Sequence, residues 1–241
     1  CLHLLSVDRD LGDFFALLDR QRIDYAVVLT ADHGVMDIPE RLRAKGVPQA
    51  VRADPALAPA EVGRQVAAQL GRKDSVLRGE GIGGDVWLDR AVPAPLRDRA
   101  ARAAIQRYKD HPQVHDVYYR PNIMSLPMPP GDPSKWTVFQ RVRASYDPSR
   151  SGDFYVVLKE HVSPISTPGA GYIAAHGTPW DYDRRVPILF WRPGMAPATR
   201  NEPVATVDIM PTLRAMLGLA ADQRLDGRCL PGVQGIVCDP R

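Results

Sequence analysis

The sequence predicts an α/β protein: a doubly wound sheet with flanking helices and a smaller α+β insertion. Two observations predict it. Helical and strand patterns alternate along the chain, and the runs YAVVLT and VPILFW are short, continuous and apolar, as strands covered on both faces are. Leu4, Leu5, Leu11, Phe14, Phe15 and Leu18 recur at helical spacing with Asp and Arg between them, which predicts an amphipathic helix over 3–20. Residues 25–30 then read as a buried parallel strand. Helices are expected over 61–70 and 95–108, and strands over 86–88, 114–119 and 154–158. Residues 186–191 read as a second buried strand. A helix over 208–217 has Asp208 as its N-cap and Gly218 as its stop. The prolines of 126–133 mark an exposed loop.

Composition sets the outer bounds. The 241 residues are 44% hydrophobic and 24% charged, enough apolar material for a sizeable core and unlike a disordered chain. No apolar stretch approaches the length of a membrane span. With 31 basic against 28 acidic residues, the net charge of +3 is too slight and scattered to argue for nucleic acid. The chain opens at Cys1 with no initiator Met and no signal peptide, and it reads as a fragment or processed piece. Cys229 and Cys238 flank a Gly/Pro-containing turn. A reduced thiol pair is one reading, but a small disulfide loop in an oxidising compartment fits better. Cys1 is left unpaired.

Two His-Gly segments carry the candidate chemistry. Asp32-His33-Gly34 follows directly on the apolar strand, and ligands of open parallel sheets gather beyond the carboxyl ends of strands. An adjacent Asp and His offer a hard oxygen and an imidazole to one cation, and Gly34 lets the chain turn away. The plain alternative is a turn in which Asp32 caps backbone amides and His33 is solvated. His176, in AAHGTPWDYDRR, precedes the second strand and would complete or neighbour the same metal site; alone it is an ordinary loop histidine. Other features carry less. Gly79, Gly81 and Gly84 satisfy G-x-G-x-x-G, yet no strand is expected ahead of them and a strand follows, so they read as a flexible loop. His111, His115 and His161 lack metal spacing. His3 sits on the front helix beside core leucines, packed or exposed rather than a ligand. Arg184 and Arg185 could contact phosphate, although paired arginines usually form a salt-bridged face.

TADHGV after an apolar strand, then HGTPWDYDRRVPILFWRPG, then VATVDIMPTLRAMLG resembles the alkaline phosphatase superfamily, in the monoesterase branch related to nucleotide pyrophosphatases and phosphodiesterases. The likeness takes in VVLKEHVSP and the final LDGRCL. It implies an exported, periplasmic or secreted zinc phosphatase that acts on small phosphate esters, with no membrane span. It also implies two zinc ions about 4 Å apart and a covalent phospho-enzyme on a Thr or Ser. By this resemblance Asp32 and His33 hold the zinc that activates the nucleophile, and His176 belongs to the other zinc. Residues 1–84 would then be the metal-site half of the core and 85–160 an inserted α+β cap. Residues 161–241 would be the remainder of the core with the second metal-site His and the disulfide tail.

The departures are specific. The family's nucleophile, its first metal-binding Asp, an Asp-x-x-x-His pair and its phosphate-steering Lys and Arg lie upstream of a helix resembling 3–20, and none is in this chain. Thr30 is not the nucleophile by that pattern, and Asp8 and Asp10 form no Asp-x-x-x-His pair. The resemblance therefore implies a chain missing the N-terminal part of the fold, inactive alone and a weak zinc binder. A phosphodiesterase or nucleotide pyrophosphatase of the same superfamily is the first alternative. A non-catalytic exported domain is the second.

Overall fold

A computed structural model describes residues 2–169, 171–220 and 224–238; Cys1 lies outside the described residues. In chain order the elements are α1 (Leu2–Arg20), β1 (Val27–Thr30), α2 (Pro39–Ala44), β2 (Val51–Arg52), α3 (Pro59–Gln69), β3 (Leu77–Arg78), β4 (Gly84–Leu88) and α4 (Ala94–Lys109). There follow β5 (Val114–Tyr119), α5 (Arg120–Ser125), α6 (Val138–Ser145), β6 (Phe154–Leu158), β7 (Val162–Ser163), α7 (Asp181–Arg184), β8 (Ile188–Trp191) and α8 (Ile209–Met216). The chain divides into two compact units, one spanning Asp32–Val186 and the other made of the stretches on either side of it.

The Asp32–Val186 unit is built on a four-stranded antiparallel sheet ordered β3-β4-β6-β5. Side chains alternate across a strand, and β6 uses the alternation fully. Phe154, Val156 and Leu158 join the larger core, with Val62 and Val66 of α3 and Ala100, Ala104 and Tyr108 of α4. Val157 faces the opposite way, into a smaller cluster with Ile123, Val142 and Tyr146, flanked by Tyr155 and Trp180. Burying each of the Val, Ile, Leu and Phe side chains among them contributes about 1.5–3 kcal/mol. In β5 the register shifts between Val114 and Asp116. That irregularity lets Val114 and Val117, an odd number of residues apart, serve the same core. The α6 helix starts on a capping box, with Thr137 and Gln140 each accepting from the other's backbone amide. Here β2 pairs in parallel with β7.

In the other unit β1 and β8 form an antiparallel pair, Val27 opposite Trp191 and Thr30 opposite Ile188. The expected parallel, buried strands are thus corrected: Leu29 is 50% and Leu189 51% exposed. A continuous apolar run specifies a strand but not its partners, and a two-stranded ribbon leaves a face uncovered. The α1 helix forms where its periodicity places it, yet no residue along it is buried and Leu4 is 74% exposed, so His3 has no core leucines beside it. Phe15 is its anchor, stacking on Tyr25 and Trp191 at centroid distances of 5.7 and 5.4 Å.

Asp208 does not cap α8 with its side chain. A turn of 3-10 helix precedes α8, so its carboxylate accepts from the amides of Ala205 and Arg228 instead. Thr212, fully buried, donates to the Asp208 carbonyl at 2.6 Å and accepts from the Leu230 amide at 3.0 Å. Gly218, at φ +64°, ends the helix as expected. Cys229 and Cys238 form a disulfide, closing the tail that these bonds hold. Among the described residues no helix is long and apolar enough to cross a membrane.

Candidate functional site

Asp32, His33 and His176 all lie in the Asp32–Val186 unit, and the structure brings the two histidines together. Their rings stack at a centroid distance of 3.4 Å with 12° between planes. The Asp32 Oδ1 accepts from the His33 amide at 3.0 Å, which fixes the turn, while Oδ2 lies 3.5 Å from His33 Nε2.

The His33 Nδ1 lies 2.8 Å from the carbonyl oxygen of Gly34. A carbonyl only accepts, so Nδ1 carries the hydrogen and a neutral ring presents its lone pair at Nε2. That lone pair then faces a carboxylate oxygen, two acceptors with no proton between them. A cation, whether a metal ion or a second proton on the ring, completes the arrangement. The donor chemistry suits metal binding, with a carboxylate oxygen and an imidazole of fixed tautomer on one turn and a second imidazole on the other. No group of three or more such side chains is arranged around one cation among the described residues.

The local backbone explains how two turns so far apart in sequence meet. The Gly34 amide donates to the Asp183 carbonyl at 2.7 Å, and a Cβ on Gly34 would collide with the carbonyl oxygen of Tyr182. On the other side Gly177 adopts φ +99°, a conformation glycine alone takes readily. The Thr178 amide and hydroxyl both donate to Asp183 Oδ2, at 2.8 and 2.7 Å. The Tyr155 hydroxyl donates to the Gly177 carbonyl at 3.1 Å, the Trp180 indole to the Leu158 carbonyl at 3.1 Å, and Arg141 to the Pro179 carbonyl at 3.0 Å. Strand β6 and helix α6 therefore carry the loop that bears His176. Burial, with the Asp85 and Asp183 charges behind it, pushes the Tyr155 phenol up to about 12. It stays a donor to Gly177 well into the alkaline range.

The remaining sequence candidates have other partners. Asp181 pairs with Arg141, Arg184 and Arg185 at 3.1, 3.6 and 3.0 Å, so the arginine pair forms a salt-bridged face. His111 sits 3.4 Å from Asp54, His115 meets Trp180 edge-on, and His161 lies against Tyr182. The glycines at 79, 81 and 84 belong to the hairpin between β3 and β4, so a short strand does precede them, and no helix follows on which a phosphate could sit. Sequence reading missed Asp183 and Tyr155. The string Thr178-Pro-Trp-Asp-Tyr-Asp183 held a signal for the first, a hydroxyl followed by a carboxylate able to close a turn.

The family model described as type I phosphodiesterase/nucleotide pyrophosphatase matches residues 3–179, which takes in Asp32, His33 and His176. The chain belongs to this family. Alkaline phosphatase PhoK of a Sphingomonas species is 42% identical over 238 residues, covering 98% of this chain and 43% of that protein. Alkaline phosphatase PhoD of Zymomonas mobilis is 39% identical over 95% of this chain and 40% of its own length. The crystal structure of wild-type alkaline phosphatase PafA superposes with a TM-score of 0.76 at 25% identity, covering 96% of this chain and 43% of that one. The fold is that of the alkaline phosphatase superfamily, and the chain spans less than half the length of these relatives.

Proposed function

We propose that this chain supplies part of the metal centre of a zinc-dependent phosphoric monoester hydrolase of the alkaline phosphatase type. The observation that carries the reading is the His33–His176 stack, in which the Gly34 carbonyl holds His33 with Nε2 free beside Asp32. The chemistry a bound zinc supplies is Lewis-acid charge on a phosphoryl oxygen and on the attacking oxygen. Asp32 and His33 would hold one such ion, and His176 the other. The protein's own work is positional: Gly34 fixes the His33 tautomer, and β6, through Tyr155 and Leu158, presents the His176 loop. A covalent phospho-enzyme formed on a Thr or Ser outside this chain belongs to the same reading. Small phosphate esters are its substrates, and the Cys229–Cys238 bridge supports an oxidising, periplasmic or extracellular setting.

Hydrolysis of p-nitrophenyl phosphate against its bis ester tests the reading, in the polypeptide as its gene encodes it. The monoester is expected to be the better substrate, with His33→Ala and His176→Ala each lowering kcat/KM more than about 100-fold. The 241-residue chain alone is expected to show no turnover above its His33→Ala control, and turnover there would contradict this account. The family model's own description favours a second reading, a phosphodiesterase or nucleotide pyrophosphatase. Preference for the bis ester would establish it. Full activity in both histidine variants would leave a non-catalytic domain.

A further inference from the structure

Asp183 is 4% exposed, a carboxylate taken out of water. Burying it is costly unless its oxygens are bonded, and Oδ1 has no hydrogen-bond partner among the described residues. Oδ2 compensates by accepting from both the amide and the hydroxyl of Thr178. Such charge-assisted bonds are about twice as strong as neutral ones. The main-chain carbonyl of the same residue accepts from Gly34. Thr178 lies two residues after His176, and Gly34 lies next to His33. We propose that Asp183 is a positioning residue: it ties both His-Gly turns to one point and thereby sets the stacked spacing of His33 and His176. Its consequence for function rests on reading that pair as metal-binding, but the positioning itself is present without metal.

The two ties are separable. Replacing the carboxylate frees Thr178 while leaving the carbonyl that holds Gly34, so the His176 side loosens and the His33 side stays. An amide at the same position keeps one oxygen able to accept both Thr178 bonds. It puts an NH2 group where Oδ1 already stands without a hydrogen-bond partner.

The test compares Asp183→Ala, Asp183→Asn and the core variant Val142→Ala in the metal-free 241-residue chain. The readout is cross-ring nuclear Overhauser contacts and ring-current shifts between His33 and His176. Asp183→Ala is expected to lose both, with His33 Nδ1 still protonated, and to bind zinc about tenfold more weakly in chelator competition. Asp183→Asn is expected to keep the contacts and stay within about twofold in affinity. Val142→Ala, which lowers stability without touching the loop's hydrogen bonds, is expected to keep the contacts. Retained ring contacts in Asp183→Ala overturn the proposal, as does equal loss in all three variants. If Asp183→Ala fails to fold, Thr178→Val carries the test: it removes the hydroxyl that donates to Asp183 and accepts from the Trp180 amide while keeping the Thr178 amide bond, and undiminished contacts there overturn the proposal. Where the wild-type chain binds zinc too weakly to measure, the ring contacts alone decide the positioning.

Discussion

At Gly34 a hydrogen in place of a side chain lets the backbone pass under the Tyr182 carbonyl and donate to the Asp183 carbonyl, and both contacts disappear if the backbone retreats. Gly34→Ala is therefore expected to cost about 1–3 kcal/mol, the range of overpacked sites, measured by urea unfolding. It should also weaken zinc binding, because His33 moves with the turn. A second residue-scale prediction concerns pH. Tyr155 ionises near 10 when unfolded but only at about 12 in the fold. Between those values the native state holds a proton that the unfolded chain has released. The stability Tyr155 contributes is thus complete below pH 10 and lost as pH rises toward 12. Tyr155→Phe should make the alkaline fall in stability shallower by about one proton. It should also remove about 1 kcal/mol at neutral pH with the lost bond to Gly177. An unchanged alkaline slope in that variant would contradict the assignment.

Single elements do two jobs. Strand β6 fills the larger core with Phe154, Val156 and Leu158, and from the same five residues holds the His176 loop through Tyr155 and the Leu158 carbonyl. Trp180→Phe deletes the indole bond to that carbonyl while keeping an aromatic ring in the smaller cluster. It is expected to cost about 1–2 kcal/mol and to broaden the His176 ring signals. In the tail, Asp208 and Thr212 hold the Arg228 and Leu230 amides, and the disulfide closes the segment that follows. So short a loop is worth at most about 3 kcal/mol in chain entropy. Reduction should accelerate hydrogen exchange beyond residue 230 while leaving the Arg228 and Leu230 amides largely protected. Equal loss of protection at those amides would make the bridge, not the buried Asp208–Thr212 pair, the tail's anchor.

Across the whole molecule, what could be read in advance follows the range of the forces involved. Strand β5 and strand β6 formed over the residues expected of them, and α3, α4 and α8 within two residues of expectation, because such patterns are local. The capping box TVFQ also marks the start of α6 locally, and it went unread. Partners of β1 and β8 were misjudged because pairing direction is not written into an apolar run. At the site, Asp32, His33 and His176 could be singled out by residue type and by resemblance. Tyr155 could not, because its role is to donate one bond to a backbone brought near by the fold. Asp183 left a local signal in its spacing from Thr178, but its tie to Gly34 is made only by the fold.

The central claim is that His33 offers Nε2 to a metal while Nδ1 is occupied by Gly34. The most direct measurement is a zinc titration of the 241-residue chain followed by the nitrogen signals of its histidine rings. The account predicts that His33 Nε2 shifts on zinc addition while Nδ1 remains protonated, and that His176 responds in the same titration. Zinc that leaves both rings unmoved, or that displaces the Nδ1 hydrogen instead, would contradict it.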